Sequence, residues 1–288
     1  MGLTDATCFA DHAVSRTVVV RENVRLARDT FRVRFDCPEI AQRIVPGQFL
    51  MMRLAGCNDP LLGRPLALYD TVVDAYGAPT GLDVVYLVVG KFTSRLAQAV
   101  PGQKLDTWGP LGNGFAPRAT DHLMMVAGGI GQTPFMALAR EYLGKRVFGT
   151  VPRAAAAKQV TLCYGARSQE YLAGVADFAS LGVRVLTSTD DGSTGHHGLV
   201  TDLLRQEING PTPPSHIVCC GPEPMMHAVA KIAAVATIPC EVSLESPMAC
   251  GIGICFSCVA KVRDEAGNWD YRRTCVEGPV FDAATIEF

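Results

Sequence analysis

The 288-residue sequence lacks any apolar run long enough to cross a bilayer. Even the stretch HAVAKIAAVATIPC is broken by Lys231 and falls short of the roughly 20 residues a helical span needs, so no membrane association is expected. It also lacks a surplus of one charge. The formal net charge is -2, the basic residues are scattered singly, and no Lys/Arg stripe interleaves with aromatics, which argues against a nucleic-acid partner. The first residues, MGLTDATCFADHAV, carry Asp5 and Asp11 and lack a basic segment followed by an apolar one, so they do not read as a secretory leader and the protein is expected in the cytoplasm. Disulfides are missing too as an account of the cysteines, because 11 is an odd number and a reducing compartment keeps thiols free. The remainder, 48% hydrophobic and 19% charged, is an ordinary globular composition with apolar residues enough for more than one core, and the length fits about two or three domains.

Ligands are therefore the better explanation for the cysteines that cluster. Cys8, Cys37, Cys57 and Cys163 are isolated and are expected as small buried apolar side chains. Cys240 lies outside the spacing that follows and is set aside as a spare. In ACGIGICFSC, Cys250, Cys255 and Cys258 form the C-x4-C-x2-C run of plant-type [2Fe-2S] sites, and Cys275 supplies a distant fourth. A loop around two irons must turn several amides toward sulfur, and Gly251 and Gly253 permit the backbone angles this takes. Between Cys258 and Cys275, two runs of strand character flank an EAGN turn, a hairpin that would return Cys275 to the loop. Structural zinc is the competing metal, but zinc sites usually pair two C-x2-C knuckles and Cys275 has no cysteine close to it. Four unrelated buried thiols would leave the spacing and the two glycines a coincidence.

From Asp121 the chain reads DHLMMVAGGIGQTPFMALAREYL, an apolar strand, a glycine turn and a helix with apolar residues at helical spacing. Gly128, Gly129 and Gly131 fall at the junction, where bare backbone approaches a pyrophosphate and a helix N-terminus favours anionic charge. The turn departs from G-x-G-x-x-G, and such glycines also serve simply to pack helix on strand. QVTLCYGAR, VRVLTSTDD and SHIVCCGPEPMM add strands with helical segments between them, which predicts a parallel α/β sheet with helices on both faces and with CCGP at its ligand-binding edge. Asp190, His196 and His197 in STDDGSTGHHG read as a solvated loop. Residues 1–117 show short alternating runs punctuated by PGQ, PLLGRP and YGAPTG, which predicts an antiparallel β-barrel. Within it Arg64, held between Gly63 and Pro65, can aim a planar fork at phosphate oxygens.

This order of parts, GRPLAL, then VAGGIGQTPF and CGPEPMM, then the four cysteines, resembles the ferredoxin-NADP reductase superfamily over essentially the whole chain. ESPMACGIGICFSC together with GPLGNGF resembles the electron-transfer subunits of class 1B dihydroorotate dehydrogenase. The resemblance implies a FAD-binding β-barrel over 1–117, a NAD-binding α/β domain over 118–238 and a [2Fe-2S] subdomain over 239–288. It places FAD on Arg64, Pro65, Leu66 and Ala67, on Val85, Tyr86 and Leu87, and on Phe92 and Thr93. It places NAD on Gly128, Gly129, Gly131 and Thr133, with Cys220, Gly221 and Pro222 near the nicotinamide. Two positions depart from the family pattern: Ala67 stands where a serine hydroxyl would meet the flavin, and Phe92 stands where the family has glycine. Backbone groups are expected to bind in both places.

The resemblance further implies an FMN-bearing catalytic subunit as partner, in a heterotetramer serving pyrimidine biosynthesis. Electrons would pass from that FMN to the cluster, to FAD and to NAD+, since a flavin alone handles both single electrons and hydride. No side chain is expected to act as acid or base. Two readings stand beside this one: a reductase subunit of a hydrogenase or of an NADH-dependent ferredoxin:NADP oxidoreductase, and a non-catalytic redox-sensing module. Met248, Ile252, Ile254 and Phe256 are expected to leave an apolar patch uncovered around the cluster loop.

Overall fold

The computed structural model describes residues 9–264 and 266–288. Its first part is a closed antiparallel barrel of β1 (Val14–Ala27), β2 (Thr30–Asp36), β3 (Phe49–Leu54), β4 (Arg64–Val73), β5 (Pro79–Leu87) and β6 (Lys104–Leu111), in the order β1-β2-β5-β4-β3-β6. Alternation decides what fills it: Val33 and Phe35 of β2, Leu82 and Val84 of β5 and Leu50 and Met52 of β3 face one core, their neighbours the other way. Short helix α1 (Pro38–Ala41) adds Ile40, and α2 (Lys91–Leu96) adds Phe92 and Leu96. β3 has five of its six residues buried because both of its faces are covered, Leu50 and Met52 by the barrel core and Phe49 and Met51 by the cysteine loop.

The second part is a parallel sheet, β7 (Ala119–Gly128), β8 (Ala156–Ala166), β9 (Arg184–Thr189), β10 (His196–His197), β11 (His216–Cys220) and β12 (Cys240–Ser243). β7 shows why helices lie on both faces. Leu123, Met125 and Ala127 pack with α3 (Phe135–Tyr142) and α4 (Val175–Ser180), while Met124 and Val126 pack with α5 (Val200–Ile208) and α6 (Glu223–Val235). The barrel is tied to this layer by Asp70 of β4, buried between Arg140 at 2.6 Å and Arg146 at 3.0 Å.

The hairpin expected after the cysteine loop is β13 (Val259–Arg263) paired with β14 (Trp269–Arg273), closed by a turn in which Gly267 N–H donates to Asp264 O at 3.0 Å. The segment expected to stand apart as 239–288 does not do so entirely. β12 pairs with β11, and β15 (Val280–Asp282) pairs antiparallel with β12, so both ends of that segment complete the seven-stranded sheet and only the loop and hairpin between them project. The reason is composition: Val242 and Val280 are buried strand residues that the sheet can cover and a small loop-rich unit cannot. Among the described residues, no helix is long and apolar enough to cross a membrane.

Candidate functional site

Cys258 ends the cysteine loop at the base of the β13–β14 hairpin, and pairing across the hairpin brings Cys275 beside it: Thr274 N–H donates to Cys258 O at 2.7 Å. The four thiols lie near one another: Cys255 is held down in part by Cys250, and Cys275 is raised by both Cys258 and Cys250. Among the described residues, no three His, Cys, Asp or Glu side chains converge as a single-ion site. Four thiols at this spacing would be the donor set for two irons, whereas structural zinc sites usually pair two C-x2-C knuckles. Donors already face the sulfurs. Ile252 N–H reaches Cys250 Sγ at 3.4 Å, Ser257 Oγ lies 3.2 Å from Cys255 Sγ, and the Gly253 amide serves Cys275. The exposed Cys255 thiol is held down at about 6 by the Ser257 hydroxyl first, then by the Ser257 amide and Cys250. Burial pushes Cys275 up to about 12. Gly251 has φ +74°, and a Cβ there would come within 2.4 Å of Met51 Cγ, so the loop backbone lies directly on the barrel. The residues present fit a [2Fe-2S] cluster.

At the proposed FAD position, Arg64 opens β4 with its guanidinium exposed and donating only to the carbonyls of Leu62 and Gly63. Among the described residues it has no carboxylate partner. The first-turn amides of α2, at Lys91, Phe92 and Thr93, have no intrahelical acceptors. This donor set suits a diphosphate. Pro65, Leu66 and Ala67 follow on β4, half-buried, with Val85, Tyr86 and Leu87 on the adjacent β5. Several side chains have other tasks. Tyr86 is buried in the barrel, stacked on Phe31 with centroids 5.9 Å apart and donating to Asn23 Oδ1 at 3.0 Å. Phe92 is buried in the same core, which is how the chain accommodates phenylalanine where the family has glycine. Thr93 Oγ1 accepts from the amides of Val89 at 3.0 Å and Gly90 at 3.1 Å, so it shapes the turn.

A cavity of about 750 Å³ opens between barrel and sheet, lined by Leu87, Val88 and Val89 on one side and by Gly128, Gly129, Gly221 and Pro222 on the other. The glycine turn after β7 and the turn after β11 thus face one crevice. Gly131, Thr133 and Cys220 do not line it. Gly131 is glycine for packing: a Cβ there would come within 2.2 Å of Cys220 O, so the two turns are pressed together. Asp190, read in the sequence as part of a solvated loop, also lines the cavity, as does Arg167 past β8; their strand ends are joined by Asp190 N–H to Ala166 O at 3.1 Å. The strand-end rule that singles out CCGP applies equally to VRVLTSTDD and would have found Asp190. His196 and His197 lie outside the cavity lining; His196 Nε2 is 3.4 Å from Asp202 Oδ2. Glu245, where the cysteine loop begins, lines the cavity too.

Other expectations need correction. Cys37, Cys163 and Cys240 are buried, but Cys57 is half-buried, with its thiol 3.3 Å from Arg95 Nη1; Cys8 lies outside the described residues. Of the four apolar residues of the cluster loop, Met248 is buried and Ile252 half-buried, because both pack with Phe49 and Leu111 of the barrel. Ile254 and Phe256 are exposed, at 75% and 64%, and the hairpin adds Trp269 and Tyr271 to the exposed apolar surface.

Comparison with known proteins adds independent findings. A family model for the iron-sulfur cluster binding domain of dihydroorotate dehydrogenase B matches residues 245–287, and one for an oxidoreductase NAD-binding domain matches residues 125–231. The chain is 36% identical over 258 residues to the dihydroorotate dehydrogenase B (NAD(+)) electron transfer subunit of Desulforamulus reducens, covering 89% of this chain and 92% of that one. It is 34% identical to the protein of the same description from Caldanaerobacter subterraneus subsp. tengcongensis, covering 93% and 97%. A solved structure of an NADH-dependent reduced ferredoxin-NADP oxidoreductase is similar at a TM-score of 0.78 and 26% identity, over 94% of this chain and 89% of that one.

Proposed function

We propose a function from one premise: the chain belongs to the family of dihydroorotate dehydrogenase B electron transfer subunits. It couples oxidation of dihydroorotate on an FMN-bearing catalytic subunit to reduction of NAD+, holding FAD and one [2Fe-2S] cluster, in pyrimidine biosynthesis. The observation that carries this is adjacency. Leu87 ends the strand assigned to FAD and lines the nucleotide cavity, while Glu245 lines the same cavity and begins the cysteine loop. When bound, FAD supplies the exchange between hydride and single electrons that neither NAD nor the cluster performs alone. The chain's own residues do the placing. Arg64 and the α2 amides hold the diphosphate; backbone at Leu66, Ala67 and Val85 to Leu87 seats the flavin; Gly129 and Gly221 let a dinucleotide approach; Cys250, Cys255, Cys258 and Cys275 hold iron. NAD over NADP rests on the description of the relatives, since the cavity offers both a carboxylate, Asp190, and a guanidinium, Arg167, at neighbouring strand ends. We read the chain as 1–117 barrel, 118–238 α/β layer and 239–288 cluster-bearing segment sharing the layer's sheet, cytoplasmic, and assembled with its partner as a heterotetramer.

The test is reconstitution. Dihydroorotate is expected to reduce NAD+ only when an FMN-bearing dihydroorotate dehydrogenase subunit is added, whereas NADH reduces a dye with this chain alone. Dye reduction without any dihydroorotate activity in the reconstituted pair would favour the ferredoxin:NADP oxidoreductase reading, to which the whole-chain structural likeness also points. A cluster spectrum without dye reduction would favour a sensor. A second expected outcome concerns Arg64, whose fork matches a diphosphate. Arg64→Ala is expected to weaken FAD binding by about 1.5 to 3 kcal/mol, the range for hydrogen bonds to a charged group. Unchanged flavin retention through dialysis would remove Arg64 from the site.

A further inference from the structure

Trp108 of β6 touches both of the segments assigned to redox groups. Its indole Nε1–H donates to the carbonyl of Cys250 at 3.0 Å. At the other end of the ring, a Cβ on Gly63 would come within 2.6 Å of Trp108 Cη2, so the turn that presents Arg64 rests on the indole. The strand register explains the reach. Met51 of β3 faces Pro65 of β4 on one side and Trp108 of β6 on the other, so Pro65, Met51 and Trp108 form one row across three strands. At roughly 4.8 Å per strand step, the row spans about 10 Å. Met51 is fully buried and carries the backbone of Gly251 on its side chain. The row thus runs from the Arg-Pro pair to the first cysteine of the loop, with Met51 and Trp108 in one apolar cluster and one directed hydrogen bond at its end.

We propose that Trp108 is a positioning residue that fixes the cluster against the flavin and tunes the cluster through the Cys250 carbonyl. This rests on the assignment of Cys250 to iron and of the Arg64 segment to FAD. An N–H aimed at the carbonyl of a ligand peptide draws electron density from that peptide and stabilises the more negative, reduced cluster; groups just beyond the ligands are known levers on such centres. A neutral hydrogen bond contributes about 0.5 to 1.5 kcal/mol, or about twofold to tenfold in an equilibrium.

The experiment uses the chain with FAD and cluster loaded, and iron, sulfide and flavin are measured first. Trp108→Phe keeps a ring against Gly63 and loses the N–H. It is expected to retain iron, sulfide and FAD while electrons at equilibrium shift from cluster to FAD by about twofold to tenfold, read by redox titration of the two absorption spectra and by a changed electron paramagnetic resonance signal of the reduced cluster. Trp108→His, which keeps a ring N–H, is expected to recover part of that shift. A Trp108→Phe protein with both groups bound and an unchanged distribution and resonance signal would overturn the proposal. So would a loss of iron in Trp108→Phe that Trp108→His shares, which would make the indole packing alone. Absence of FAD or cluster from the unmodified chain would instead overturn the functional assignment beneath it.

Discussion

Replacement of Cys255 by serine is expected to strip the chain of iron and acid-labile sulfide and to abolish dihydroorotate-dependent NAD+ reduction, while FAD stays bound and NADH still reduces a dye. A thiolate is what binds iron, and the fold holds the Cys255 thiol down at about 6 through the Ser257 hydroxyl. Serine offers a harder oxygen that keeps its proton at neutral pH, and only three protein sulfurs would be left to hold the cluster. Unfolding does not explain such a loss. Cys255 is exposed, so removing its sulfur opens no cavity, and surface changes of this kind stay within about 0.5 kcal/mol. Cys57→Ser, at a half-buried thiol outside the set, is the control and is expected to leave iron unchanged. Full iron and sulfide in Cys255→Ser would remove it from the cluster. One equivalent of zinc without sulfide in the anaerobically prepared unmodified chain would replace the cluster with a structural metal.

The cysteine set stands out in the sequence because thiols gathered on one loop and one hairpin leave a local pattern. The hairpin that closes it was legible for the same reason, as two alternating runs around EAGN. Barrel and parallel sheet followed from alternation and from strand-turn-helix order. Other features were hidden by the locality of sequence patterns. Alternation does not tell which strand of a barrel is covered on both sides, so β3 carried no sign that Phe49 and Met51 lie under the cluster loop. Nothing local announces that β12 and β15 join a sheet begun more than 100 residues earlier, since their partners are set by register across the fold. Tyr86 and Phe92 fell inside family binding segments, yet their side chains point into the barrel core, and only backbone there is free to meet a ligand. Asp190 is exposed, as a loop rich in Asp, Ser and Gly implies, but composition does not tell that its strand end also faces the cavity.

Phe256→Glu is expected to weaken assembly with the catalytic subunit by about thirtyfold or more and to reduce dihydroorotate-dependent NAD+ reduction in proportion at limiting partner, with dye reduction by NADH unchanged. A cluster that exchanges electrons with another protein must sit near the surface, and Cys255 is the exposed thiol of the proposed set. Beside it Ile254 is 75% exposed and Phe256 64%, with Trp269 and Tyr271 on the adjoining hairpin. Large apolar side chains grouped at one place on a surface mark interfaces, and a buried aromatic anchor commonly carries 2 kcal/mol or more, about thirtyfold in affinity. The carboxylate would have to be desolvated in the complex. Phe256 also lies under the Arg273 guanidinium, 5.3 Å from its ring centroid, and Arg273 donates to Gly253 O at 3.1 Å. An acid at 256 can draw Arg273 away from the loop, so iron content is measured alongside, and Ile254→Glu repeats the test next to the same cysteine. Tyr76→Glu, on the exposed turn between β4 and β5, is expected to assemble normally. If both loop variants keep their iron and bind the catalytic subunit as the unmodified chain does, the partner docks elsewhere, and the exposed loop is reached by electrons without being the contact that holds the complex together.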